Sequence, residues 1–176
     1  FIREKKASAA GVYPADGRLI AGKSLPFASD LVTPIFTLYP PETMKRGDIY
    51  WYNDCYESKG AVTHTPDQVL ISPVFADDEL IGFSQTWAHF ADIGGMRPGS
   101  LSADCTEIFQ GGTMVPPVRL KRDGVINEDL LRVFVRNCRF PALVRGDLRA
   151  MLAAVALGEK RLEELANRFS ASGLRD

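Results

Sequence analysis

His64 and His89 are the two histidines of a 176-residue chain. Each stands three residues before an aspartate, in Thr63-His64-Thr65-Pro66-Asp67 and in His89-Phe90-Ala91-Asp92. Imidazole nitrogen and carboxylate oxygen are donors that divalent zinc and manganese accept. Gly94-Gly95 follows the second pair directly, which lets the backbone turn sharply or approach a ligand closely. In a chain so poor in histidine, the repeat points to one metal-centred site with His64, Asp67, His89 and Asp92 as candidate ligands. The alternative is that each histidine caps a turn or satisfies a buried polar group. Zinc or manganese bonds of about 2.0–2.2 Å mean that imidazole nitrogens more than roughly 12 Å apart would exclude shared ligation.

Other groups offer less. Asn53-Asp54 follows an aromatic run and provides either a substrate-orienting carboxylate or an Asx-turn. Asp54 and Asp67 are the candidate catalytic carboxylates. Asp104 and Glu107 read as the first turn of a short helix, with Asp104 as its cap. Arg97 either meets an anionic substrate or is a solvated loop cation. Ser100 and Ser102 lack a base at triad spacing. The chain has no Walker A sequence and no GxGxxG, so any ATP would be bound by another polypeptide or domain, and the isolated chain is expected to hydrolyse none.

The elements that must hold these groups follow from the hydrophobic pattern. Ser8 to Tyr13 and Arg18 to Ala21 read as a hairpin about Ala15-Asp16-Gly17. Leu31 to Tyr39 reads as a short helix limited by Pro34. Ile49-Tyr50-Trp51-Tyr52 is a strand, and the loop from Asn53 to Asp67 carries His64. Gln68–Phe75 and Glu79–Trp87 form an antiparallel pair about Ala76-Asp77-Asp78, whose outer ends bring the two His-Asp pairs together. Residues 93–113 form a long ordered loop. Val115 to Leu120 is an edge strand or extended segment, because Pro116-Pro117 cannot donate to a central ladder.

After that the period changes to three or four. Asn127 caps a helix with Glu128 and Asp129 in its first turn and an apolar stripe of Leu130, Leu131, Phe134, Val135 and Cys138, ended by Pro141. A second helix runs from about Leu143 to Phe169. It is on the order of 40 Å long, which suggests that part of its stripe covers something outside the chain. The fold class is therefore α+β in a single domain over 1–176: an antiparallel, strand-rich part over 1–120, then two helices over 127–170.

Composition sets limits. The chain is 45% hydrophobic and 24% charged, with 21 basic and 22 acidic residues and a net charge of −1. That balance argues for no nucleic acid and no membrane surface as partner, and no apolar run is long enough to span a bilayer. Three cysteines, Cys55, Cys105 and Cys138, without CxxC spacing, read as free thiols in a reducing cytoplasm. The chain opens on Phe1 rather than Met, as expected of a processed chain or a piece of a longer one.

Taken together, Gly47-Asp48-Ile49-Tyr50-Trp51-Tyr52-Asn53-Asp54, Thr63-His64-Thr65-Pro66-Asp67, Ala88-His89-Phe90-Ala91-Asp92-Ile93-Gly94-Gly95, Pro98-Gly99-Ser100, Asp104-Cys105-Thr106-Glu107-Ile108-Phe109-Gln110, Val115-Pro116-Pro117, Asn127-Glu128-Asp129-Leu130-Leu131 and Arg145-Gly146-Asp147-Leu148-Arg149-Ala150 resemble the hydantoinase B / oxoprolinase family, in order and spacing. The resemblance implies a fragment of a B-type subunit of an ATP-dependent cyclic amide hydrolase. Its substrate would be a small molecule activated by phosphorylation in a hydantoinase A-type partner. The remainder of its own B-type polypeptide would be a further partner, and ATP would enter only through the A-type partner. The alternatives are a ketone carboxylase subunit of the acetone/acetophenone type and a non-catalytic scaffold that has lost the metal site. Carried over, His64, His89 and Asp92 match family positions at or near a divalent metal. The chain departs from the pattern at Ala7, where the family often has Asp, at Cys55 in place of Pro, at Gly111 in place of Glu, and in the insertion Glu57 to Val62. Those departures imply weak or absent metal occupancy.

Overall fold

A computed structural model describes residues 8–17, 21–23, 30–99 and 102–169. Among them, seven strands form one sheet: β1 (Ser8–Pro14), β2 (Ala21–Lys23), β3 (Ile49–Tyr52), β4 (Asp67–Ala76), β5 (Glu79–His89), β6 (Val118–Arg122) and β7 (Val125–Ile126). Their order is β2-β1-β5-β4-β3-β6-β7, and every neighbouring pair is antiparallel. Two helices follow, α1 (Glu128–Arg136) and α2 (Pro141–Phe169). The α+β class stands as the sequence indicated.

Alternation along each strand sorts the sheet into two packed faces. Ile49 and Trp51 of β3, Leu70 of β4 and Ala88 of β5 face the helices and pack with Leu131, Phe134, Val144, Leu148, Met151 and Val155. The Trp51 and Phe134 rings meet edge to face, 4.7 Å apart, a geometry favoured by the ring quadrupoles. On the opposite face, Tyr50, Tyr52, Val69, Ile71 and Phe83 pack with Leu31, Val32, Ile35 and Val62. Leu31, Val32 and Ile35 come from the segment around the 3-10 turn Thr33–Thr37, which replaces the short helix expected there.

Several boundaries move. The first hairpin returns at Ala21–Lys23, and the expected return over 18–20 lies outside the described residues. The strand after Pro116-Pro117 begins at Val118 and lies between β3 and β7, so it is not the edge. Both prolines precede the ladder and cost it no donor. Asn127 does cap α1, its side chain accepting from Leu130 N at 3.0 Å. Pro141, however, does not end α1. That helix stops at Arg136, and Pro141 is the first residue of α2, where its missing N–H has no helical acceptor to serve.

The long helix is used by this chain. Val144, Leu148, Met151, Val155, Leu162 and Ala166 are buried, against β4, β5 and β1. The expectation that its length serves something outside is thus not required, although Leu157 and Leu165 stay exposed. Gly158 permits the close approach: a Cβ there would lie 2.3 Å from Ser84 Oγ, which itself donates to Val155 O at 2.9 Å.

Candidate metal centre

Asp67 opens β4 and His89 closes β5, and the two are cross-strand partners in the ladder. Both lie on the sheet face away from the helices, because they share parity with Val69, Ile71, Phe83 and Trp87. His64 precedes them on a turn closed by Asp67 N donating to His64 O at 3.2 Å. Three donor atoms meet there. His89 Nδ1 lies 2.8 Å from Asp67 Oδ1, His64 Nε2 lies 3.1 Å from the same oxygen, and the two nitrogens are 3.2 Å apart. The side chains are 15%, 4% and 20% exposed for His89, Asp67 and His64. Burial raises the pKa of the Asp67 carboxyl, but hydrogen bonding to His64 and His89 outweighs it and holds the group below the ordinary carboxylate range.

The loop carrying His64 is held by buried polar side chains. Asn53, fully buried at the end of β3, donates to Thr65 O at 2.8 Å and to Thr113 O at 2.9 Å, and accepts from Val115 N at 2.5 Å. Gln68 donates to Thr65 O and Pro66 O, and accepts from Trp51 Nε1 at 2.9 Å. Thr65 Oγ1 donates to Gly111 O at 2.8 Å. A Cβ at Gly111 would sit 2.8 Å from that hydroxyl. The glycine that replaces the expected acidic residue therefore lets the two loops close on each other. Thr63 Oγ1 lies 3.0 Å from His64 Nδ1, the nitrogen turned away from the cluster.

The other candidates do different work. Asp92 does not join the cluster. Its carboxylate is fully buried and accepts from Arg139 Nη1 at 2.7 Å, from the Arg139 main-chain N–H, and from Gly94 N at 3.3 Å. Arg139 also donates to Gly94 O and Gly95 O. The structure places Asp92, expected as a metal ligand, in this pairing rather than beside His64, Asp67 and His89, with both oxygens tying the loop after β5 to the α1–α2 junction. Gly94 and Gly95 have φ of +86° and +75°, and Cβ atoms there would lie 2.7 Å from Asn137 O and 2.5 Å from Gln110 O. Close approach was anticipated at this pair, and the protein's own backbone makes it. Asp54 accepts from Tyr56 N at 2.8 Å and Glu57 N at 3.0 Å, the Asx-turn alternative. It caps the turn leading into the inserted 57–62 segment, and Val62 of that segment is buried. Glu107, not Asp104, caps the 3-10 turn Ile108–Gly111, while Asp104 pairs with Arg97 at 2.5 Å. Ala7 and Ser100 lie outside the described residues.

All three cysteines are free thiols. Burial, then the charges of Asp54 and Asp67, push the Cys55 thiol up. Among the described residues no helix is long and apolar enough to cross a membrane.

An open antiparallel sheet, covered by two helices on one face and bearing a cluster of two histidines and one aspartate at the strand ends of the other, defines the class. The chain belongs to the hydantoinase B/oxoprolinase family, whose sequence profile matches residues 1–176. It is 35% identical over 129 residues to the putative B-type polypeptide of a D-/L-hydantoinase from Pseudomonas sp. strain NS671, covering 73% of this chain and 21% of that one. It is 27% identical over 169 residues to the acetophenone carboxylase delta subunit of Aromatoleum aromaticum, covering 93% of this chain and 24% of that one. The crystal structure of ATP-dependent caprolactamase from Pseudomonas jessenii superposes with a TM-score of 0.85 at 26% identity, covering 96% of this chain and 29% of that one. The chain thus spans about a fifth to a quarter of the length of these curated relatives.

Proposed function

We propose that this chain contributes the metal-binding part of a B-type subunit in an ATP-dependent cyclic amide hydrolase of the hydantoinase/oxoprolinase type. The observation that carries the proposal is the convergence of His64, Asp67 and His89, whose ligand atoms lie within 4.8 Å of one another. Donor separations of 2.8–3.2 Å are those of neighbouring ligands on one cation with bonds of about 2.1 Å. The donor set therefore fits a divalent zinc or manganese ion. Such an ion supplies Lewis-acid polarisation of a carbonyl or phosphoryl oxygen.

The chain's own residues have separable tasks. Asp67 supplies negative charge to the cluster, and its depressed pKa keeps it ionised there. Thr63 Oγ1, 3.0 Å from His64 Nδ1, holds that side of the ring, so that Nε2 is the nitrogen turned toward the cluster. Asn53 and Gln68 fix the loop, so the imidazole is positioned before any substrate arrives. Phosphoryl transfer from ATP is assigned to a hydantoinase A-type partner, since no phosphate-cradling motif is present here. Small-molecule substrate and the remainder of the B-type polypeptide complete the assembly, which we place in the cytoplasm on the strength of the free thiols.

The similarity to acetophenone carboxylase along most of the chain supports a second reading, a ketone carboxylase subunit. The intact protein with its partner is the test. ATP-dependent ring opening of hydantoins or lactams without bicarbonate supports the hydrolase. Bicarbonate-dependent consumption of a ketone supports the carboxylase. Absence of both, with no bound metal, returns the chain to a scaffold.

A further inference from the structure

His64 owes its place to a stack of loops rather than to the ladder. Its neighbour Thr65 donates through Oγ1 to Gly111 O at 2.8 Å. The 110–112 backbone in turn rests on Gly95, where a Cβ would meet Gln110 O at 2.5 Å, Gly112 N at 2.7 Å and the Gly111 carbonyl carbon at 2.8 Å. Met96 N donates to Gln110 O at 2.8 Å and Thr113 N to Ile93 O at 2.9 Å, so residues 93–96 and 110–113 form one two-layered unit. Arg139 supports that unit from outside. Its Nη1 donates to Gly94 O at 3.0 Å and to Asp92 Oδ1 at 2.7 Å, and its Nη2 donates to Gly95 O. We propose that Arg139 is a positioning residue for the metal centre: its guanidinium fixes the Gly94-Gly95 backbone and, through residues 110–112 and Thr65, sets where the His64 imidazole stands. This rests on the metal-centred reading above.

The chemistry of the side chain suits this task. Two successive glycines lose more backbone freedom on ordering than any other pair, so the segment needs an external hold. Among the described residues, Arg139 alone donates to the Gly94 and Gly95 carbonyls. A guanidinium presents its donors in a rigid planar fork, so one side chain grips a carboxylate and two carbonyls together. It projects from the junction between α1 and α2, and both helices pack on the sheet, which anchors the fork on a rigid layer. Asn53 and Gln68 already hold the Thr65 carbonyl. The Thr65 hydroxyl is therefore the contact through which the 110–112 segment acts on the His64 turn. Asp67 and His89 take no part in this relay, because the β4–β5 register pairs them. Loosening the fork displaces one imidazole of the pair and spares the other.

The two imidazoles supply the reporters. The intact metal-free protein is isotope-labelled at histidine Cε1, and the two resonances are assigned with His64→Gln and His89→Gln. Arg139→Ala is expected to move the His64 resonance and leave that of His89 in place. The zinc dissociation constant, read by competition with a chromogenic chelator, should rise about tenfold, the lower end of the range for supporting contacts. Arg139→Lys keeps a positive charge beside Asp92 but loses the fork. It should show the same displacement and the same weakening, with the fold retained by circular dichroism. An unchanged His64 resonance and zinc constant in both variants, equal movement of both histidine resonances, or full recovery in Arg139→Lys would each overturn the proposal. Displacement of His64 alone, in a protein that binds no zinc, would uphold the positioning role and overturn only the metal-centred reading.

Discussion

Asp67 and His89 face each other across the β4–β5 ladder, and His89 Nδ1 lies 2.8 Å from Asp67 Oδ1. The pair is made by strand register rather than by loop conformation. His64 is the third member, and it is brought in by the turn whose backbone Asp67 itself closes.

Replacing a donor should therefore remove metal without removing the fold. His89→Ala is expected to weaken zinc or manganese binding by more than about 100-fold, since losing a supporting contact alone costs 10–100-fold. Metal content and calorimetric titration read this, and circular dichroism should show an unchanged strand and helix content. Stoichiometric metal surviving the substitution would refute the assignment.

Asp92→Ala should behave in the opposite way. It leaves the Arg139 guanidinium without its buried partner, and the half-exposed arginine limits the loss to about 1–3 kcal/mol. Denaturant unfolding should show this loss, while metal stoichiometry holds. A variant that keeps its stability and loses metal would restore Asp92 as a ligand.

Asn53→Ala removes three buried hydrogen bonds that join β3, the His64 loop and the 113–115 segment. The expected cost is about 2–4 kcal/mol, because the Thr113 carbonyl and the Val115 N–H lose this partner while Thr65 O keeps its bond from Gln68. Asn53→Asp should cost as much or more, because the carboxylate has no N–H to offer the Thr65 and Thr113 carbonyls. A Tm equal to that of the parent protein in either variant would count against this account.

Glu159 gives the pH dependence. Burial first, then the nearby Glu163, raises its pKa, and the hydrogen bond from Ser72 offsets this only in part. A raised folded-state pKa favours the protonated form. That stabilisation is complete below the unfolded pKa of about 4.3 and is lost as pH rises through the folded value. Glu159→Gln should then raise Tm at pH 7 by about 1–3 °C, as a change under 1 kcal/mol does in a domain of this size. The gain should vanish below about pH 4. An equal gain at both pH values would show that charge is not the cause.

Much of this was legible in residue types. The aromatic run Ile49–Tyr52 is β3 to the residue, and the β4–β5 hairpin lies within two residues of its expected limits at either end. Those strands are buried on both faces and bounded by turn formers, so pattern and packing agree. Asn127 was legible because a cap acts on its own neighbours. The fate of Asp92 was not: its partner Arg139 stands 47 residues away, and no local period links them. Pro141 misled because a proline both stops one helix and starts another, and only the spacing of the flanking turns decides which. The 3-10 turns were equally hidden, since one turn leaves too few residues for a period.

One irregularity in the ladder has a further consequence. Val74 pairs with Gly82 but Phe75 pairs with Leu80, so Ile81 is an extra residue in β5 near the hairpin turn. From Gly82 onward the pairing runs unbroken to His89, a span of roughly 24 Å at 3.4 Å per residue. Tolerance of insertions and deletions should be polarised along this hairpin. A residue gained or lost beside the turn can be absorbed where the ladder already carries a spare. One gained or lost between Gly82 and His89 would send the imidazole to the helix-covered side of the sheet, abolishing the cluster without altering any of its members.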